Sequence, residues 1–235
     1  MDSSLTKRAA VIDAIPTVFG YVGIGMAFGI IGKASGFSTL NVFLMSVIIY
    51  AGSAQFTTVS MLAAGSPIAS IILATFLVNS RMILMSTTVA GYFKKDKLGK
   101  GILIGTFLTD ESFALSMNKV NYTSGKMTFD WFNTANIVSY ITWLIATLIG
   151  SLLGSFVTSP EKFGLDFALV AMFIGLLYLQ VVGDKKLQKL LQVIVIAITF
   201  VLTYLLTIVL PANMVVIVVT LIGCSLGMVL KYVFF

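Results

Sequence analysis

The hydrophobic positions of this chain do not alternate with polar ones; they run together in long stretches. About eight such stretches follow one another, at approximately 11–33, 38–63, 67–92, 99–118, 131–157, 164–183, 187–209 and 212–234, most near the roughly 20 residues that cross a bilayer. Short polar links part them: Gly36 and Ser38, Gly65-Ser66-Pro67, Lys94 to Lys97, Asn121 to Asp130, Ser159 to Lys162, Asp184 to Lys186, and Pro211. These are the turn and breaker residues expected between helices, with Pro67 and Pro211 suited to a first helical turn. A membrane barrel strand alternates polar and apolar residues, so a barrel is excluded. The fold class predicted is all-α: one polytopic membrane domain over 1–235 with about seven or eight spans. The second segment is interrupted by Tyr50-Ala51-Gly52-Ser53-Ala54-Gln55-Phe56 and is the candidate for a broken or re-entrant helix.

Composition supports this reading. The chain is 58% hydrophobic and 10% charged, with a mean hydropathy of +1.04, against about 25% charged residues in a soluble domain. Lys7 and Arg8 precede the first apolar stretch as in a signal peptide, but no short core with a cleavage site follows, so this stretch is read as a retained helix. With every segment spanning, the N-terminal side would carry Lys7, Arg8, Lys119, Lys126, Lys185, Lys186, Lys189 and Lys231. The other side would carry Lys33, Lys94, Lys95, Lys97, Lys100 and Lys162. That count, eight against six, gives a weak bias toward a cytoplasmic N-terminus.

Glycines four apart recur at Gly25/Gly29, Gly32/Gly36, Gly101/Gly105, Gly150/Gly154 and Gly223/Gly227, a spacing that lets helix backbones approach closely. Two glycine-rich stretches, YVGIGMAFGIIGKASGFS and TLIGSLLGSFVTSPEKFGLD, lie about half a chain apart and suggest an internal repeat.

The candidate chemistry is sparse. With no histidine there is no Ser-His or Cys-His relay and no imidazole metal site, and the lone Cys224 allows neither an internal disulfide nor a thiolate cluster. No enzyme, cofactor or metal is expected. The net charge of +6 needs no nucleic acid, because Lys and Arg cluster at segment ends. Three charges do sit deep in apolar segments: Arg81, Asp110 and Glu111. Each costs about 2.5–3.5 kcal/mol at bilayer depth, so they should pair or line a polar path. Arginine stays charged and must meet an anion: Asp110, Glu111, Asp166 or a substrate carboxylate. Asp110 shares a helical face with Thr106 and Ala114, and Glu111 with Phe107 and Leu115, so the two acids serve different neighbours. One should pair with Arg81; the other, left without a partner, is the candidate proton carrier. Asp166 opens the sixth segment as a dipole-favoured acid or a further carboxylate on the path. Gly52, Ser53, Ala54, Gln55 and Phe56, with Asn79, are the candidate substrate-binding residues. An unwound stretch offers backbone N–H and C=O groups to a zwitterion, and Gln55 both donates and accepts.

The stretches AFGIIGKASGFS, LMSVIIYAGSAQF, LVNSRMILM, LTDESFAL and GLDFALVAMFIGLL, in this order over about residues 18–180, resemble the AzlC family, the large subunit of bacterial branched-chain amino acid exporters. In that family the third motif often reads Asn-x-Arg-His; here Met82 stands in place of the histidine. The resemblance implies a multi-pass protein of the bacterial cytoplasmic membrane that exports leucine, isoleucine, valine and methionine. It also implies a proton-driven secondary mechanism and a small hydrophobic AzlD-like partner. No phosphate-binding Gly-x-x-x-x-Gly-Lys-Ser/Thr loop occurs, so this chain indicates no ATPase subunit. Two other readings are a passive channel or accessory subunit, and an intramembrane aspartyl protease built on Asp110 and Asp166.

Overall fold

The computed structural model describes residues 3–94, 96–157, 167–183, 187–210 and 212–234. Every regular element among them is helical. The chain parses into two compact units, Met1–Tyr178 and Leu179–Phe235.

The first unit is organised around α1 (Lys7–Ala34) and α8 (Phe129–Gly154), which run parallel over their whole length. Asp13 meets Trp131 near the start of both, Gly25 faces Ala146 midway, and Gly154 lies against Ile30 and Lys33 near both ends. The glycines permit this. A Cβ on Gly29 would strike the backbone of Thr147 and Ser151, and one on Gly150 the backbone of Met26. Two of the spaced glycine pairs behave differently. Gly32 packs on Val42, but its partner Gly36 supplies a positive φ of 90° to a turn, and Gly101 and Gly105 face open space. The two glycine-rich stretches of the sequence are thus in direct contact across the α1/α8 crossing.

The second and fourth apolar segments do not run straight. Segment 38–63 divides into α2 (Thr39–Ile48) and α3 (Gly52–Ala63), and Tyr50 between them takes a φ of 42°. Helix α2 starts beside the C-terminal end of α1, where Val42 packs on Gly32, and descends until the carbonyl of Val47 accepts a hydrogen bond from Tyr140 at 3.0 Å. Helix α3 then returns. Gly52 lies on the ring of Trp143, and Phe56 packs edge-on against Phe28. Thr58 then pairs with Thr75 of the next helix. That helix is a full traverse, α4 (Ile68–Asn79) continuing into α5 (Arg81–Ala90) with a tightened turn at Ser80. It ends at the opposite pole, where Val89 and Phe93 join Ala10, Ala14 and Phe132 in one apolar cluster.

Segment 99–118 mirrors this from the other pole. Helix α6 (Leu98–Thr106) starts with Lys100 over the ring of Phe129 and climbs to Phe107, which packs on Tyr140. Helix α7 (Asp110–Tyr122) comes back down, from Thr109 at Tyr21 to Lys119 at Asp13. With about 1.5 Å of rise per residue, α2, α3, α6 and α7, of 10, 12, 9 and 13 residues, each reach about halfway through a bilayer core of roughly 30 Å. The two hairpin tips meet, with Tyr50 and Phe107 ring centroids 6.5 Å apart.

Two expectations are corrected here. Where the sequence suggested one interrupted segment, two are broken. And because the second break falls at Phe107–Thr109, Thr106 and Phe107 do not continue the faces of Asp110 and Glu111. The cause is a local stop signal inside an apolar run. Thr109 is extended (φ −132°, ψ 173°), and its side chain and that of Ser112 cap each other's backbone N–H. Four helices among the described residues, α1, α4–α5, α8 and α10 (Lys189–Val209), are long and apolar enough to cross a membrane. The expected count of about seven or eight spans is not reached by that measure.

The first unit also holds the greater part of α9 (Ala168–Gly183); the second holds its end, α10 (Lys189–Val209) and α11 (Ala212–Phe234). Gly223 and Gly227 of α11 face Thr199 and Val195 of α10.

Candidate functional site

Where the hairpin tips meet between α1 and α8 there is a small cavity, large enough for water and too small for an amino acid. Tyr50, Ala51, Gly52 and Ser53 line it from the first hairpin, Thr109, Asp110 and Glu111 from the second. Tyr21, Met82 and Trp143 close it.

Its charges come from two elements. Arg81 opens α5 and donates through Nη2 to Asp110 Oδ2 at 2.6 Å and to Ser53 Oγ at 3.0 Å, so one guanidinium ties the traversing helix to both hairpin tips. Asp110 and Glu111 occupy the first turn of α7, where the helix dipole favours negative charge. Glu111 turns the other way and accepts a 2.7 Å hydrogen bond from Tyr21, whose hydroxyl also lies 2.8 Å from Thr109 Oγ1. No ion pair to Glu111 occurs among the described residues. One acid meets arginine; the other, expected to have no partner, forms no ion pair among the described residues but is held by Tyr21. The first turn of α3 begins at the cavity wall and carries no side-chain cap.

The remaining predicted residues are distributed differently. Gly52 and Ser53 line the cavity. Ala54 and Gln55 are fully buried behind it, and the Gln55 amide is spent on two internal bonds, donating to Ser46 Oγ at 3.0 Å and accepting from Trp143 Nε1 at 3.1 Å. Phe56 packs on Phe28 in the apolar cluster. Asn79, at the end of α4, does not line the cavity, and its Oδ1 has no hydrogen-bond partner among the described residues. Asp166 lies outside the described residues. The sequence reading missed Tyr21, Tyr50, Thr109 and Trp143. Tyr21 and Tyr50 had a signal, since each places a hydroxyl inside an apolar run directly before or within a glycine motif.

Fold and site together define a helical membrane protein with a charged cavity where two broken helices meet. Residues 16–157 match the AzlC protein family, and the chain belongs to it. It is 30% identical to the branched-chain amino acid transport protein AzlC of Bacillus subtilis, over 76% of this chain and 69% of the relative. It is also 30% identical to the inner membrane protein YgaZ of Escherichia coli, over 70% of this chain and 69% of that one. An uncharacterized membrane protein of Helicobacter pylori is 30% identical over 68% and 69%. No solved structure gives a significant match. The chain is a multi-pass bacterial membrane protein.

Proposed function

We propose that this chain is a secondary transporter that exports neutral, apolar amino acids of the branched-chain class (leucine, isoleucine, valine and, less well, methionine) in exchange for protons, together with a small AzlD-like subunit. The observation that carries the reading is the arrangement of charge in the cavity: a paired Arg81–Asp110, an uncapped helix start, and a carboxylate, Glu111, with no ion pair among the described residues. A zwitterion complements it. The substrate carboxylate takes Arg81 and the N–H groups of Gly52 and Ser53, and its ammonium takes Glu111. The site then holds three carboxylates against two cations, so Arg81 is shared between Asp110 and the substrate carboxylate while the ammonium pairs with Glu111. Tyr50, Met82 and Trp143 offer apolar surface to the side chain. Such a pocket separates substrates by only about 1–3 kcal/mol per methylene, hence the moderate selectivity.

The proton follows from the same residue. An inward proton gradient drives cargo outward only if cargo and proton use the carrier in turn. Glu111 holding a proton cannot also pair with an ammonium, which makes the two exclusive. The cavity is closed to a leucine in this structure, so loading requires a hairpin tip to move. The relative named as a branched-chain amino acid transport protein supports the substrate class. The test is proteoliposome transport under an imposed pH gradient across a panel of amino acids, with and without the small subunit. Counterflow of labelled leucine is expected; a pore, which cannot accelerate exchange, would show none.

A further inference from the structure

The two hairpins fix the sidedness of the first unit, which the sequence indicated only weakly. If α2–α3 and α6–α7 each double back, the polar links regroup. The pole at the start of α1 holds the links at 91–97 and 123–128 as well as Lys7 and Arg8. The pole at its end holds the links at 35–38 and 64–67. Among the described residues of the first unit, the exposed basic residues then fall on one side: Lys7, Arg8, Lys94, Lys97, Lys100 and Lys126 at the first pole, against the half-buried Lys33 at the second. Retained Lys and Arg mark the cytoplasmic face, and acidic residues contribute little to that rule. The near balance obtained with eight straight spans came from assigning the 94–100 run to the wrong side.

We infer that the pole at the start of α1 is cytoplasmic and that both hairpins are re-entrant. Helices α6–α7, carrying Asp110 and Glu111, dip in from the cytoplasm, and α2–α3, carrying Gly52 and Ser53, from outside. Irregular backbone at membrane depth is tolerated where protein buries it. Both tips meet that condition, with Tyr50, Leu108 and Thr109 all buried. Each hairpin is thereby the gate on its own side. Withdrawing α6–α7 opens the cavity to the cytoplasm and separates Asp110 from Arg81; withdrawing α2–α3 opens it outward and separates Ser53 from Arg81. Arg81, on the traversing helix, is the latch both tips share.

The test does not depend on transport. In a Cys224→Ser background of the full chain, single cysteines are placed at exposed alanines flanking the first hairpin (Ala34→Cys, Ala64→Cys) and at exposed positions flanking the second (Leu98→Cys, Tyr122→Cys). Intact cells are treated with a membrane-impermeant maleimide, and total labelling is taken after permeabilisation. Ala34→Cys and Ala64→Cys should both label from outside; Leu98→Cys and Tyr122→Cys should both label only after permeabilisation. Leu40→Cys and Ala63→Cys replace a first-hairpin reporter that does not accumulate, and Gly99→Cys and Ser124→Cys a second-hairpin one. Labelling of Ala34→Cys and Ala64→Cys from opposite sides overturns the re-entrant hairpin, and inversion of all four overturns the orientation.

Discussion

Arg81 and Asp110 are 29 positions apart in sequence and 2.6 Å apart in space, and Ser53 of the other hairpin meets the same guanidinium nitrogen. The closed cavity is held by this one cation. Removing it alone leaves the half-buried Asp110 without its partner, at a cost of about 1–3 kcal/mol. Arg81→Gln should therefore lower the yield and melting temperature of the purified protein, and the double variant Arg81→Gln/Asp110→Asn should recover most of that loss. Leucine counterflow should not return with the fold. Normal counterflow in the double variant would reduce the pair to a structural role.

Gln55 braces α2 and α3 against α8 through Ser46 and Trp143, and its amide does not reach the cavity. Gln55→Ala leaves a buried indole N–H and a buried hydroxyl unpaired, at about 1–3 kcal/mol each. The expected outcome is a lowered melting temperature with an unchanged KM for leucine in the protein that remains. A raised KM with unchanged stability would return Gln55 to the substrate site.

The glycines separate scaffold from surface. Gly29→Ala places a methyl into the backbone of Thr147 and Ser151, where nothing can yield, so α1 and α8 must part and the protein should fail to accumulate. Gly101→Ala meets open space in a helix and should be neutral or stabilising by up to about 1 kcal/mol. Membrane yield and detergent melting curves compare the two.

Several of these relationships could be read from the sequence. Charges do not sit in apolar runs without reason, so Arg81 had to meet an anion, and of the four candidates it meets Asp110. The YAGSAQF interruption announced a break because Gly and Ser punctuate an apolar run. The break at Thr109 was hidden. Its capping pair, Thr109 and Ser112, is a local signal, while the surrounding residues are apolar enough to read as one continuous span. Hydrophobicity reports depth in the membrane and not direction of travel, so a hairpin and a traverse of equal length look alike. Gln55 illustrates the other limit. A buried amide satisfies itself on whatever polar group is nearest, and only the fold decides whether that group is a ligand or Trp143.

The central claim is that proton and substrate ammonium compete for Glu111. It is tested most directly by leucine affinity as a function of pH, measured on the purified wild-type protein and on Glu111→Gln. Competition requires a proton to leave as leucine binds, so wild-type affinity should fall as the solution is acidified, approaching about tenfold per pH unit once Glu111 is mostly protonated, and binding should release protons to an unbuffered medium. Glu111→Gln should bind leucine more weakly, with a flat pH profile and no proton release. The same acid-sensitive profile in Glu111→Gln as in the wild type would contradict the account.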